Sequence, residues 1–174
     1  MMAPSLSLKV MATFLSPLLG ALSLETSSST SAQQACYALK GLGSFVIQGP
    51  SGTDYYQAKT HYWSSANADD TPTCVAFPTN AEHVSKIVKV LQQYTDVDFA
   101  MKSGGHNPNR GFSSVDGGVL ISFNKLNSTT YDPDSQAADI GPGSVWADAV
   151  GALEPYGVTV VGGRIGRWIS HNIL

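Results

Sequence analysis

An α+β domain is what this sequence predicts, on three observations. Short apolar runs of strand length alternate with stretches of helical periodicity, in the order strand, helix, strand, then strand, strand, helix, strand, which departs from strict βαβ repetition. The 174 residues are 43% hydrophobic and only 13% charged, so the chain has the apolar content of a folded domain. A portion of about 150 residues buries about 70% of its unfolded surface, enough for one core. Ten Lys and Arg against thirteen Asp and Glu give a formal net charge of -3. With no basic excess and no clustering of basic residues on a periodic face, nucleic acid is excluded as a partner.

The chain opens with Lys9 and then an apolar run over residues 10–24, broken by Pro17 and Gly20. That run is shorter than the ~20 apolar residues that cross a bilayer, so residues 1–24 read as a secretory signal rather than an anchor. Cleavage after Ala21 or Ala32 places its end between 21 and 32, and the mature chain is expected outside the cell, away from membranes. Residues 25–69, beginning with a Ser/Thr-rich run, read as an N-terminal extension, and residues 70–174 as the domain proper. An oxidising compartment and an even cysteine count predict a Cys36–Cys74 bridge, with two buried thiols as the alternative. Closing that loop stabilises a fold by about 4 kcal/mol in the chain-entropy picture. Two cysteines so far apart lack C-x-x-C ligand spacing and have no histidine pair beside them, which disfavours a metal site. Asn127-Ser128-Thr129 is a glycan acceptor sequence and is expected at the surface.

The elements of the domain follow in order. "TCVAF" (residues 73–77) is an apolar strand. Thr79 and Glu82 have capping-box spacing and open a helix whose Val84, Ile87, Val88 and Leu91 share a face. "VDFAM" (97–101), "GGVLISF" (117–123) and "AADIG" (137–141) are the next strands. Ser144 is placed to cap a helix carrying Val145, Trp146, Ala149, Val150 and Leu153, and "GVTVVGG" (157–163) is read as a closing strand. Trp146 is expected in the core, Trp63 against the domain, and His61 and His83 toward solvent.

Between two of these strands lies "KSGGHNPNRGFSS" (102–114). Its residues are ordinary turn formers, but consecutive glycines lose so much freedom on folding that they are costly unless something needs the space. "GLGSFV" at Gly41 and "GPGSVW" at Gly141 lack the third glycine and the context of a dinucleotide fingerprint, and "SGGH" lacks P-loop spacing.

The loop extended to "MKSGGHNPNRGFSSVDGGVLISFNKLN", with "TPTCVAFPTNAEHVSKIVKVL" before it and "GPGSVWADAVGALEPYGVTVVGGR" after it, resembles the flavin-binding part of berberine bridge enzyme-like oxidases over residues 72–164. The resemblance implies a p-cresol methylhydroxylase-type FAD-binding domain with FAD as cofactor. His106 would then bond covalently to a flavin ring methyl, a link that secures the cofactor and makes it more oxidising. A diphosphate needs several backbone N–H groups converging as a nest, which Gly104 and Gly105 can provide. Ser103, Ser113 and Ser114 would add hydroxyls, while Asn107 and Gly111 would shape the loop. Lys102 stands where the family often has arginine and would offer phosphate a point charge without the bidentate fork. Gly141, Gly143, Gly162 and Gly163 would bring backbone near the flavin.

The function so implied is oxidation of an alcohol, amine or sugar-like carbon of a small molecule, with molecular oxygen reoxidising the flavin. After Arg164 the family pattern gives way to "IGRWISHNIL", and neither a second glycine-rich stretch nor a substrate domain with its catalytic base is found. The expectation is therefore an N-terminal fragment with little turnover. Its Val119, Ile121, Phe123, Val158, Val160 and Val161 would be partly uncovered, leaving it marginally stable and unable to hold FAD covalently at high occupancy. A non-catalytic secreted interaction module is the alternative. A hydrolase using His106 with Ser113 or Ser114 is weaker, because no nucleophile-elbow G-x-S-x-G is present.

Overall fold

A computed structural model describes residues 30–43, 46–163 and 166, so the expected signal segment lies outside the described residues. The described chain starts with a helix inside the stretch read as an extension, α1 (Ser31–Gly41). The Thr30 side chain accepts from the Gln33 N–H while the Gln33 side chain accepts from the Thr30 N–H, which satisfies two orphan donors of the first turn. Ala32, Ala35 and Leu39 are its buried residues, spaced along one face. Then follow β1 (Val46–Gln48), α2 (Thr53–Thr60), α3 (Ser65–Asp69), β2 (Cys74–Phe77), α4 (Ala81–Leu91), β3 (Phe99–Lys102) and β4 (Val119–Ser122). A hairpin, β5 (Thr129–Asp132) with β6 (Ala137–Ile140), leads to α5 (Trp146–Leu153).

Four strands form one sheet in the order β1-β2-β4-β3. β2, β4 and β3 run parallel, and β1 joins β2 antiparallel, with Ile47 opposite Ala76. On one face α1 and α4 pack Ala35, Leu39, Ile87 and Leu91 against Ala76, Val119 and Ile121. On the other, Tyr55 and Ala58 of α2 cover Val75, Phe77, Ala100 and Leu120. Covered on both faces, β2 and β4 are buried throughout and apolar except for Ser122 at the end of β4. The predicted Cys36–Cys74 bridge is present and ties α1 to the first residue of β2. Residues 30–69 thus help to build the same sheet and core.

Several expectations are corrected. Val119 and Ile121 are fully buried rather than partly uncovered, because α1 and α4 lie over them; Phe123 packs beside that core, Val158 and Val160 are half-buried, and Val161 is fully exposed. Asn80, not Thr79, caps α4, its side-chain oxygen accepting from the His83 N–H at 2.9 Å. Glu82 instead pairs with Lys86 one turn on. Ser144 does not cap α5: Val145 is the cap residue, and the buried Ser144 hydroxyl has no hydrogen-bond partner. Residues 157–163 are not a strand, because no described strand pairs with them; Gly157 turns at φ 68° and Gly162 and Gly163 lie against the Trp146 indole. Trp63 is largely exposed rather than packed into the domain. No described helix is long and apolar enough to cross a membrane.

Candidate functional site

The glycine loop leaves the carboxyl end of β3 and returns into β4, and the carboxyl ends of parallel strands are where open α/β sheets bind ligands. Its conformation depends on Gly105, whose φ of 76° is in the left-handed region. A Cβ there would lie 2.9 Å from the Tyr62 ring and 3.0 Å from both the His61 carbonyl and Lys102 Cε. The segment His61-Tyr62-Trp63 therefore lies directly across the glycine turn. The Trp63 N–H donates to the Gly105 carbonyl at 3.2 Å, and the Tyr62 hydroxyl donates to the Ser113 carbonyl at 2.6 Å, so this strap grips both ends of the loop. Burial, and then the charge of Asp70, hold the Tyr62 phenol well above its ordinary pKa.

Within the loop, Asn107 accepts from the Asn109 N–H through its side chain, and its carbonyl accepts from Asn67 at 2.6 Å. The Ser114 hydroxyl donates to buried Asp70 at 2.6 Å, and Arg110 pairs with the same carboxylate. Burial alone would raise the Asp70 pKa; the hydrogen bonds from Arg110 and Ser114 and the guanidinium charge outweigh it, so the group lies below its usual range. This engagement of Ser114 removes it as a nucleophile toward His106. Ser113 is also buried, and its hydroxyl has no partner.

Lys102 differs from the sequence reading. Its side chain is 3% exposed and turned into the domain, where the ammonium donates to the Ala58 carbonyl near the end of α2 and lies 3.6 Å from the Tyr62 ring centre. A cation there satisfies a terminal carbonyl and faces the negative end of the helix dipole. Lys102 thus braces the strap beneath the glycine turn, with its charge already engaged. Burial lowers its pKa to about 7. Unfolded, it would keep its proton up to about pH 10.4. Between those values the unfolded chain binds more protons, so folding stability is expected to rise as pH rises from about 7 toward 10, by at most about 1.4 kcal/mol per pH unit. Urea melts of the native chain and Lys102→Met across that window check this: the slope should flatten in the variant.

Lys102, Ser103, Gly104 and Gly143 line one cleft of about 290 Å³, together with Ser122 and Asn124 among others. It lies at the small end of the about 300–1,000 Å³ usual for ligand pockets. The Ser103 hydroxyl donates to the Pro142 carbonyl, closing the cleft between the glycine loop and the turn before α5. That turn needs its glycines, since a Cβ on Gly141 or Gly143 would fall 2.4 Å from the Leu126 carbonyl or 1.7 Å from that of Phe123. No carboxylate lines the cleft, so the residues present fit the diphosphate of a dinucleotide. His106, two positions beyond Gly104 and outside the cleft lining, is half-buried, its ring 6.0 Å from that of Trp63. Asn107, Gly111, Ser113 and Ser114 shape the loop outside the cleft lining, and Gly141, Gly162 and Gly163 are likewise outside it. Tyr62, Trp63, Asn67 and Asp70 were not foreseen as parts of the site. Among the described residues no cluster of His, Cys, Asp and Glu could hold a metal ion.

Comparison with known proteins identifies the same region. Residues 72–166 match the family model of the FAD binding domain. An uncharacterized FAD-linked oxidoreductase of Arthroderma benhamiae is 42% identical over 146 residues, which are 83% of this chain and 29% of that protein. The chain thus spans less than a third of that relative. The crystal structure of 6-hydroxy-D-nicotine oxidase from Arthrobacter nicotinovorans superposes with a TM-score of 0.63 at 26% identity, covering 71% of this chain and 26% of that one. A variant of berberine bridge enzyme shares the fold at a TM-score of 0.61 and 16% identity, over 71% of this chain and 26% of that one.

Proposed function

The chain belongs to the FAD binding domain family of FAD-linked oxidoreductases, and from that premise we propose that it supplies the diphosphate-binding and histidine-bearing part of the flavin site of a secreted oxidase. The carboxylate-free cleft between the glycine loop and the Pro142–Gly143 turn carries this reading. Backbone N–H groups around Gly104 would hold the diphosphate, the Ser103 hydroxyl would keep the cleft wall closed on Pro142, Gly143 would let the opposite wall approach, and His106 would attach the flavin. Bound there, FAD supplies two-electron oxidation of an alcohol, amine or sugar-like carbon, with dioxygen as the final acceptor. The protein's part is to orient and insulate. Lys102 contributes by bracing the strap, since its ammonium is already engaged.

Export from the cell is supported by the Cys36–Cys74 bridge and by the exposed glycan acceptor Asn127. Recovery of the chain from the culture medium, with a mass that falls on deglycosylation, is the expected result; an unmodified chain confined to the cell would contradict export.

Titration calorimetry of the purified chain tests the cofactor reading. Saturable FAD binding is expected, competed by ADP, which carries the diphosphate, and not by riboflavin, which lacks it. A chain that is stable, colourless and indifferent to FAD would favour the second reading, a secreted interaction module.

A further inference from the structure

Resting on the reading of His106 as the attachment residue, we infer that Trp63 is its positioning residue: the Trp63 indole sets the plane of the His106 imidazole so that a ring nitrogen can be joined to FAD. A histidine in a glycine-rich loop has a broad torsional well about its ring bond, while bond formation demands a directed lone pair. Something must therefore fix the ring. The Trp63 indole lies against it, with centroids 6.0 Å apart and planes tilted by 36°, within the range of favourable aromatic pairs.

Trp63 is itself held by its backbone, through the N–H bond to the Gly105 carbonyl immediately before His106. Its neighbour Tyr62 is clamped by the Lys102 ammonium on its ring and by its own bond to the Ser113 carbonyl. The strap thus fixes the indole relative to the glycine turn from both ends of the loop. The indole contributes little to the core, being 62% exposed, so its placement is better explained by the imidazole beside it than by folding.

Attachment forms one bond, from an imidazole nitrogen to a methyl carbon of the flavin. The imidazole N–H hydrogen and one methyl hydrogen leave as two protons and two electrons in all, and dioxygen takes up the two electrons and two protons to give hydrogen peroxide. Trp63 enters neither side of this balance and acts only through the orientation of His106.

The test incubates the full chain with saturating FAD under air and follows flavin fluorescence that stays with the protein after denaturation. Native chain is compared with Trp63→Phe, Trp63→Leu, Trp63→Ala and His106→Ala. All three Trp63 variants keep the backbone bond to Gly105, so melts should match the native chain, and each chain is assayed at its own saturating FAD concentration. Attachment should slow on the order of tenfold in Trp63→Ala and Trp63→Leu, the size of one aromatic contact, and recover to within about threefold in Trp63→Phe. Indole emission that differs between the native chain and His106→Ala is the accompanying signature of the ring contact. Attachment at the native rate in Trp63→Ala, or Trp63→Leu as fast as Trp63→Phe, would overturn the assignment while leaving His106 as the attachment residue. Retained flavin in no chain at all would overturn the His106 reading itself, and this inference with it.

Discussion

Replacing Cys36 and Cys74 together by alanine is expected to lower the folding stability by about 4 kcal/mol, the chain-entropy value for a loop of this length. A bridge between α1 and the first residue of β2, with its Cα atoms 6.1 Å apart, closes a separation of 38 residues that contains β1, α2 and α3. Without it the unfolded chain gains that freedom, and α1 is left to hold Ala35 and Leu39 on the sheet by packing alone. For a chain of this size each kcal/mol moves the midpoint by about 2–4 °C, so the melt should fall by about 8–16 °C. Paired thermal and urea melts check this. A variant that melts within a few degrees of the native chain would show that the bridge adds nothing the packing does not already supply.

The second large effect is local to the glycine turn. Gly105→Ala is expected to destabilise the fold by about 1–3 kcal/mol through its left-handed backbone alone, with more from the overlap of the new methyl with Tyr62, the His61 carbonyl and Lys102. Gly111 is the internal control. It has a similar φ of 82° but nothing within 4 Å of where a Cβ would stand, so Gly111→Ala carries the backbone cost without the overlap. Urea melts should rank native chain above Gly111→Ala and Gly111→Ala above Gly105→Ala. The variant at Gly105 should also lose FAD binding, since the displaced strap lies against the loop that lines the cleft. Equal costs at the two positions would mean that the strap yields easily and does not brace the loop.

Much of this architecture was legible in the residues. β2 and the first three residues of β4 are apolar runs because the sheet is covered on both faces, and α4 announces itself by the periodicity of Val84, Ile87, Val88 and Leu91. The stretch before residue 70 was not legible, for physical reasons. α1 follows a Ser/Thr-rich run and has only small apolar residues and one leucine on its buried face; β1 has three residues; α2 carries two tyrosines, one buried and one exposed, which conceal its face. β5 is polar and half in solvent, so no alternation marks it. The closing strand failed the other way: "GVTVVGG" has strand composition, but a strand exists only where another pairs with it.

The site shows the same division. A glycine loop with His106 between two strands could be seen as a ligand loop, since its backbone demands are written in its residue types. The direction of a long side chain is not so written. Lys102 turns inward because the Ala58 carbonyl and the Tyr62 ring, forty or more positions away, are there to receive it. The strap was hidden for the same reason: nothing in "HYW" by itself says that it crosses the glycine turn.

That this loop holds FAD through His106 is the central claim, and mass analysis of the peptide carrying residues 102–114 tests it most directly. After the full chain is incubated with FAD, unfolded and digested, the account predicts a flavin-bearing peptide whose added mass maps to His106 and is absent in His106→Ala. Flavin released entirely on unfolding, or mapped to any other residue, would contradict it.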